Sequence, residues 1–300
     1  MSVELRPPSK EDAPAIAGAL NEFSRVVDFD LETPEEITAW FSMPSFDVEQ
    51  NARVALVDGT IVGYADAASR DQKIAWLDVR ADPAYPDVPP VLLDFVEERG
   101  KDLAPGGLLK AWAPEKAPSS RELLESRGYA FHHYSLRMLI DLAEEPAEPE
   151  WPEGIAARTV QPGEEKAVYE VHQETFSDQR DFSRERYEDW SHWWLGEAFD
   201  PELWFLAHAG DEIQGISLCR SEWGGDDDLG WLSILGVRKP WRRRGLGLAL
   251  LLHSFRELRA RGKKRMGLGV DAENPTGAVQ LYERAGMTVN RRHLWYEKAA

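Results

Sequence analysis

Twice along the chain, and in the same order, apolar positions switch from helical spacing to strand alternation. Arg6 precedes Ser9-Lys-Glu-Asp12, which has the form of a capping box with Asp in place of Glu. A helix is expected next, with Ala13, Ile16, Leu20 and Phe23 on one face. A hairpin follows, from Ala55 to Val57, around Asp58-Gly59, and back from Ile61 to Ala65. In the second half Arg158 precedes a Pro-Gly-Glu-Glu stretch and a helix carrying Val168 and Val171. The matching hairpin runs from Trp204 to Ala207, turns near Gly210-Asp211 and returns from Ile213 to Leu218, so Gly63 and Gly215 fall at equivalent places. A third strand covers Ala75 to Arg80 in one half and Trp231 to Arg238 in the other. Each half closes with a helix running into Arg-Gly-Tyr (127–129) or Ala-Gly-Met (285–287) and then a final strand. The glycine there suits a left-handed residue at a helix C-terminus.

Helix, antiparallel strands, helix, strand, helix, strand is the order of an α/β protein with a mixed sheet and helices on its faces, here built twice in tandem. The stretch from Asp141 to Glu153 is Pro/Glu-rich and lacks a hydrophobic period. Residues 143–153 are therefore expected to link a domain at 1–142 to one at 154–300.

Composition narrows the function. A hydrophobic fraction of 43% supplies packed cores and excludes wholesale disorder. The one cysteine, Cys219, excludes a disulfide framework or a thiolate cluster. The histidines, His132 and His133 included, have no ligand spacing, so no metal is expected. With no apolar run of about 18 residues and no signal peptide, a cytoplasmic protein away from membranes is expected. The net charge of −18 opposes nucleic-acid binding and favours a cationic substrate. Against that background the basic block Arg238, Lys239, Arg242, Arg243, Arg244, Arg256, Arg259, Arg261, Lys263, Lys264 and Arg265 points to a small polyanionic ligand.

The block opens within Leu235-Gly-Val-Arg-Lys-Pro-Trp-Arg-Arg-Arg-Gly-Leu-Gly-Leu248. A strand ends near Val237, and Pro240 interrupts its ladder. A basic glycine turn then leads into an amphipathic helix expected to bury Leu248, Leu251, Leu252, Phe255 and Leu258. Gly245 and Gly247 allow close backbone approach and positive φ. First-turn amides have no helical acceptor and sit at the positive end of the dipole. These are the parts of a pyrophosphate cradle. A dinucleotide fingerprint is excluded because Leu250 stands three residues after Gly247, and no Gly-x-x-x-x-Gly-Lys-Ser/Thr run occurs.

Further on stand Asn274-Pro275, Tyr282 and Gly286. Together with Arg242-x-x-Gly245-x-Gly247, this pattern resembles the GNAT superfamily of N-acetyltransferases, closely over about residues 230–297 and more weakly over the whole second half. The first half is a degenerate echo. The resemblance implies two tandem GNAT-like acyl-CoA N-acyltransferase domains, with acetyl-CoA as cosubstrate and direct attack by a small amine or peptide acceptor in a ternary complex. It implies that amides and side chains of Arg242, Arg243, Arg244, Gly245, Leu246, Gly247 and Leu248 hold the pyrophosphate. Leu235 and Val237 would pair with the pantetheine arm, and the Val237 N–H would polarise the acetyl carbonyl. Tyr282 would protonate the departing thiolate. Asn274 either caps a helix starting at Pro275 or also touches pantetheine.

The first half serves as an internal control. Aligning Gly128 with Gly286 sets Leu124 against Tyr282 and Lys116 against Asn274. Its loop at 82–90 has no glycine, prolines at 83, 86, 89 and 90, and Asp82 and Asp87. It is expected to bind no coenzyme A. On the acceptor side the candidate carboxylates are Glu222, Asp226, Asp227, Asp228, Asp271 and Glu273, with Asp271 preferred as a catalytic group. Trp190, Trp193 and Trp194 either line the acceptor pocket or pack in a core. Three functions stay open: a general amine acetyltransferase, an enzyme resembling mycothiol synthase, which acetylates a cysteinyl amine, and a non-catalytic acyl-CoA sensor. The acceptor, the general base and the oligomeric state are not legible.

Overall fold

In the computed structural model, which describes residues 2–300, chain packing separates two units, one ending at Tyr134 but regaining Arg292–Ala300, the other spanning Ser135–Arg291. The first holds β1 (Glu4–Arg6), α1 (Ala13–Val27), α2 (Pro34–Phe41), α3 (Val48–Asn51), β2 (Ala52–Val57), β3 (Thr60–Ala68), β4 (Ile74–Ala81), α4 (Val88–Leu103), β5 (Leu108–Pro114), α5 (Pro118–Ser126) and the start of β6 (Ala130–Asp141). The second holds the rest of β6, then β7 (Ala156–Thr159), α6 (Glu165–Phe176), α7 (Tyr187–Trp194), β8 (Trp204–Ala209), β9 (Glu212–Arg220) and β10 (Leu229–Val237). It continues with α8 (Leu246–Ala260), β11 (Arg265–Asp271), α9 (Ala278–Arg284) and the start of β12 (Thr288–Ala299).

Both units use one plan. In the first, β1 to β4 are antiparallel neighbours, β4 and β5 run parallel, and β12 joins β5 antiparallel. In the second, β7 to β10 are antiparallel neighbours, β10 and β11 run parallel, and β6 joins β11 antiparallel. The mixed sheet is as expected, but the domain boundaries are corrected. The boundary falls at residue 135, upstream of the expected 142, and the C-terminal strand returns to the first unit. Core packing holds each exchanged strand in place. Leu136 and Met138 of β6 pack with Met266, Leu268 and Val270 of β11, while Leu294 and Tyr296 of β12 lie in the first unit's core. The stretch 143–153 has no helix or strand, yet it is pinned. Arg256 donates to the Pro146 carbonyl at 2.8 Å and pairs with Glu148 at 2.7 Å.

Local details repeat too. Arg6 grips Asp12 through two 2.7 Å hydrogen bonds, and Arg158 grips Glu164 at 2.7 and 2.6 Å. The Ser9–Asp12 box caps a 3-10 turn at Lys10–Asp12, with α1 starting one residue later. Ala13, Ile16, Leu20 and Phe23 are buried as expected. A Cβ on Gly63 would lie 2.9 Å from Ala81 Cβ and 3.0 Å from Val88 Cγ1, and one on Gly215 would lie 2.9 Å from Leu250 Cδ1. These glycines let α4 and α8 settle on the same place of each sheet.

Each parallel pair also opens at the same place. β4 and β5 pair up to Leu77 and Ala111, β10 and β11 up to Leu232 and Leu268. β4 nevertheless stays with β3 to Ala81, and β10 with β9 to Val237 after a bulge between Leu232 and Ile234. A fragment of residues 154–300 would lose β6 and uncover Met266, Leu268 and Val270. It is expected to aggregate or to melt without cooperativity by circular dichroism, where the full chain melts cooperatively. A well-folded fragment would show that β6 is dispensable to the second unit.

Candidate active site

Where β10 leaves β11, its outer edge turns toward the following loop. The Arg238 N–H donates to the Gln214 carbonyl of β9 at 2.9 Å. Strand alternation therefore directs the N–H groups of Val237 and Leu235 to the opposite, open edge. The loop continues through a 3-10 turn at Lys239–Trp241 to Arg243 (φ 59°) and Gly245 (φ 87°). Two left-handed residues so close together fold the backbone into a concave turn. The helix α8 begins at Leu246 with no capping side chain, and its first backbone bond is from Ala249 N–H to the Gly245 carbonyl at 3.0 Å. The N–H groups of Leu246, Gly247 and Leu248 precede that bond and have no acceptor within the helix.

Most of the basic block performs structural work. Arg242 donates to the Val237 carbonyl (2.9 Å), the Thr175 carbonyl (3.1 Å) and Asp178 (2.7 Å). Lys239 also reaches Asp178, at 2.8 Å, and Arg238 reaches Glu174 at 3.0 Å. Hydrogen bonds from Lys239 and Arg242 hold the Asp178 carboxyl below its ordinary range. Gly236 makes the approach of α6 possible, since a Cβ there would lie 2.4 Å from Thr175 Oγ1. Further along, Arg261 binds Asp200 and Glu202, Lys264 binds Asp228 and Arg265 binds Asp226. Arg243 and Arg244 remain exposed at the mouth of α8, with Arg244 lying 4.2 Å from the centre of the Trp241 ring. Arg242 thus anchors the loop, and Arg243 and Arg244 are its exposed cations.

Two expectations about this segment are corrected. Gly247 is helical, and a Cβ on it would meet Leu281 Cδ2 at 3.3 Å and Val237 Cγ2 at 3.6 Å, so its smallness keeps that corner narrow. The core face of α8 is Leu246, Leu250, Leu251, Phe255 and Leu258, with Leu248 and Leu252 half-buried at its flank. The donor set suits a pyrophosphate: free first-turn amides, two exposed arginines and no carboxylate capping the helix. At the corresponding place α4 offers nothing similar. The Val88 N–H is taken by the Tyr85 carbonyl at 3.1 Å, and Pro89 and Pro90 have none.

Tyr282 lies on α9, is buried, and belongs to the core cluster that also holds Leu246, Leu250, Val270 and Met287. Burial alone pushes its pKa up. Asn274 does not cap a helix at Pro275. Its Oδ1 accepts from the Thr276 N–H at 2.9 Å in a separate turn, and α9 starts at Ala278 behind left-handed Gly277. Asp271 accepts from Arg180 at 3.1 Å and from the Glu273 N–H at 2.7 Å, and Arg180 also binds Glu273 at 2.5 Å. The two carboxylates thereby close the end of β11.

Asp226, Asp227 and Asp228 lie before β10 begins, at the opposite end of that strand from the loop, and Glu222 lies in the same turn region. Trp190 is a core residue with no exposure, and its Nε1 donates to His172 Nδ1 at 2.9 Å. The rings of Trp193 and Trp194 already face a cation, Arg220, at 5.6 and 5.5 Å. Sequence reasoning passed over Asp178, Arg180 and Gly236. Glycine inside a strand, at 236 as at 267 and 269, is the signal that could have been followed. Among the described residues no group of three or more His, Cys, Asp or Glu could hold a metal ion, and no helix is long and apolar enough to cross a membrane.

The model of the acetyltransferase (GNAT) family matches residues 165–287. The mycothiol acetyltransferase of Streptomyces griseus is 30% identical over 259 residues, covering 80% of this chain and 77% of its own. The chain spans 62% of the length of several further mycothiol acetyltransferases. The solved GCN5-related N-acetyltransferase from Sphaerobacter thermophilus is 32% identical with a TM-score of 0.76, covering 99% of this chain and 95% of its own. A tandem GNAT protein from the clavulanic acid biosynthesis pathway shares the fold at 14% identity, with a TM-score of 0.73 and coverages of 99% and 98%. The chain belongs to the GNAT acetyltransferase family, in its tandem form.

Gly247→Asp would set a carboxylate among the α8 amides and crowd Leu281. It is expected to weaken acetyl-CoA at least about a hundredfold by calorimetry, the scale of losing several charge-assisted hydrogen bonds. Unchanged affinity in a folded variant would remove the cradle from the account.

Proposed function

We propose that the second unit is an acetyl-CoA-dependent N-acetyltransferase acting on a primary amine of a small molecule or peptide. The observation that carries this reading is the junction of an open β10 edge with an uncapped helix N-terminus. Acetyl-CoA supplies an activated acetyl thioester. Amides of Arg243 to Leu248, with Arg243 and Arg244, hold its pyrophosphate, and Arg242 keeps that loop against α6. Leu235 and Val237 offer main-chain groups to the pantetheine arm, where Asn274 lies on the other side of the gap. The Val237 N–H donates to the carbonyl oxygen as charge develops there. As the amine attacks and the C–S bond breaks, the Tyr282 phenol delivers a proton to the leaving sulfur.

Asp271 is retained as a site carboxylate, but its bonds to Arg180 and Glu273 N–H fit a positioning role better than a base. The first unit is proposed to bind no coenzyme A, because its corresponding helix has no free first-turn amide. The names of the mycothiol acetyltransferases favour, within this class, an acceptor related to mycothiol. A non-catalytic acyl-CoA sensor is disfavoured by the presence of both Tyr282 and Asn274 where the family's pattern has them.

Thiol release from acetyl-CoA across aminoglycosides, polyamines, amino acids, protein N-termini and cysteinyl aminosugars tests the activity. Tyr282→Phe is expected to cut turnover about a hundredfold, the low end for general acids, because a thiolate leaves tolerably unaided. Acetyl-CoA affinity should persist. Unaltered turnover would make Tyr282 a packing residue, and tight acetyl-CoA binding with no turnover of any amine would favour the sensor.

A further inference from the structure

Strand alternation on β11 sends Met266, Leu268 and Val270 into the core and leaves Gly267 and Gly269 on the other face, away from α8. A glycine inside a strand weakens it, so each needs a physical reason. Gly267 has one in the chain's own packing. A Cβ there would lie 2.6 Å from Trp231 Cζ3 and 2.8 Å from Leu139 Cδ2. Gly269 has neither a packing reason nor a conformational one. Nothing lies within 4 Å of a Cβ built on it, its φ is not left-handed, and it is exposed. It is also the first β11 residue past the last β10–β11 pair, at Leu232 and Leu268, so it stands at the mouth of the gap.

The first unit shows the same place filled. Its last parallel pair is Leu77 with Ala111, so the residue equivalent to Gly269 is Trp112. That indole packs on Phe29 (4.7 Å between centroids) and His293 (5.9 Å), and Arg80 lies 5.8 Å from its centre. Arg80 is in turn held by Asp78 and Glu32, each at 2.7 Å. Nearby, burial and the adjacent Asp78 push the carboxyl of Asp66 up to about 7. The unit whose helix offers no amides therefore fills this face with its own side chains. The unit with the uncapped helix leaves it open.

We infer that Gly269 is the floor of the acceptor pocket and that its missing side chain admits amines carried on bulky scaffolds, rings or peptides lying broadside on the sheet. This rests on the acetyltransferase reading above. The neighbouring wall is built of packed side chains: Arg137, opposite Gly269 in register, lies 5.4 Å from the Trp231 ring centre, and Trp231 stacks on Trp223 at 4.6 Å. Such a wall favours a broad acceptor surface over a short linear chain.

The test compares Gly269→Val and Gly269→Trp with wild type on a dipeptide amide and an aminoglycoside as bulky acceptors and ethanolamine as a slim one. Calorimetry with acetyl-CoA and thermal melting are run on every variant. Gly269→Val is expected to shift the kcat/KM ratio toward ethanolamine about tenfold or more, the scale of one unwanted aliphatic group in a pocket. Gly269→Trp should shift it further. Acetyl-CoA affinity should hold, and Tm should not fall, since valine suits an exposed strand position. An unchanged ratio, or a loss shared equally with acetyl-CoA affinity or Tm, overturns the pocket floor alone. A wild type that turns over neither these three amines nor any amine of the wider panel overturns the acetyltransferase reading, and this inference with it; one that turns over only slim amines overturns the pocket floor alone.

Discussion

The site depends on β10 remaining bonded to β9 as far as Val237 after parting from β11 at Leu232. Unsatisfied main-chain groups are costly when buried, so a strand held on one side only must meet solvent or a ligand on the other. Arg242 makes this arrangement rigid by tying the Val237 carbonyl to the Thr175 carbonyl and to Asp178. The loop after β10 is thus fastened to α6 before α8 starts, and the α8 amides point to a fixed place.

The two units separate scaffold from chemistry. Both keep the arginine grip before the first helix, the glycine beneath the second long helix and the early parting of the parallel pair. They differ at the positions facing the gap, beyond Leu124 for Tyr282 and Lys116 for Asn274. One has Gly245, Leu246 and Gly247 where the other has Asp87, Val88 and Pro89, and one has Gly269 where the other has Trp112. Main-chain packing can be preserved while a few side chains decide whether the gap stays open or is filled.

Much of this was legible in the sequence because it was local. Hairpins at Asp58-Gly59 and Gly210-Asp211, the buried face of α1 and the glycine turn before α8 all follow from short-range pattern. What escaped depends on contacts distant in the chain. The exchange of β6 and β12 could not be read from apolar alternation, which marks a buried face without naming the strand beside it. The block from Arg238 to Arg265 looked like a single polyanion site, but the acids that occupy most of it, from Glu145 to Asp228, are supplied by other segments. Asn274 followed by proline matched a helix start, while Gly277 moved that start to Ala278.

The central claim is that one corner, formed by β10, its loop and α8, binds the cosubstrate, while its counterpart around α4 does not. Isothermal titration of the full chain with acetyl-CoA measures this directly. One equivalent per chain, abolished when the α8 amides are blocked, is the predicted result. Two equivalents of similar affinity would contradict the account, because the first unit would then hold coenzyme A without a free first-turn amide.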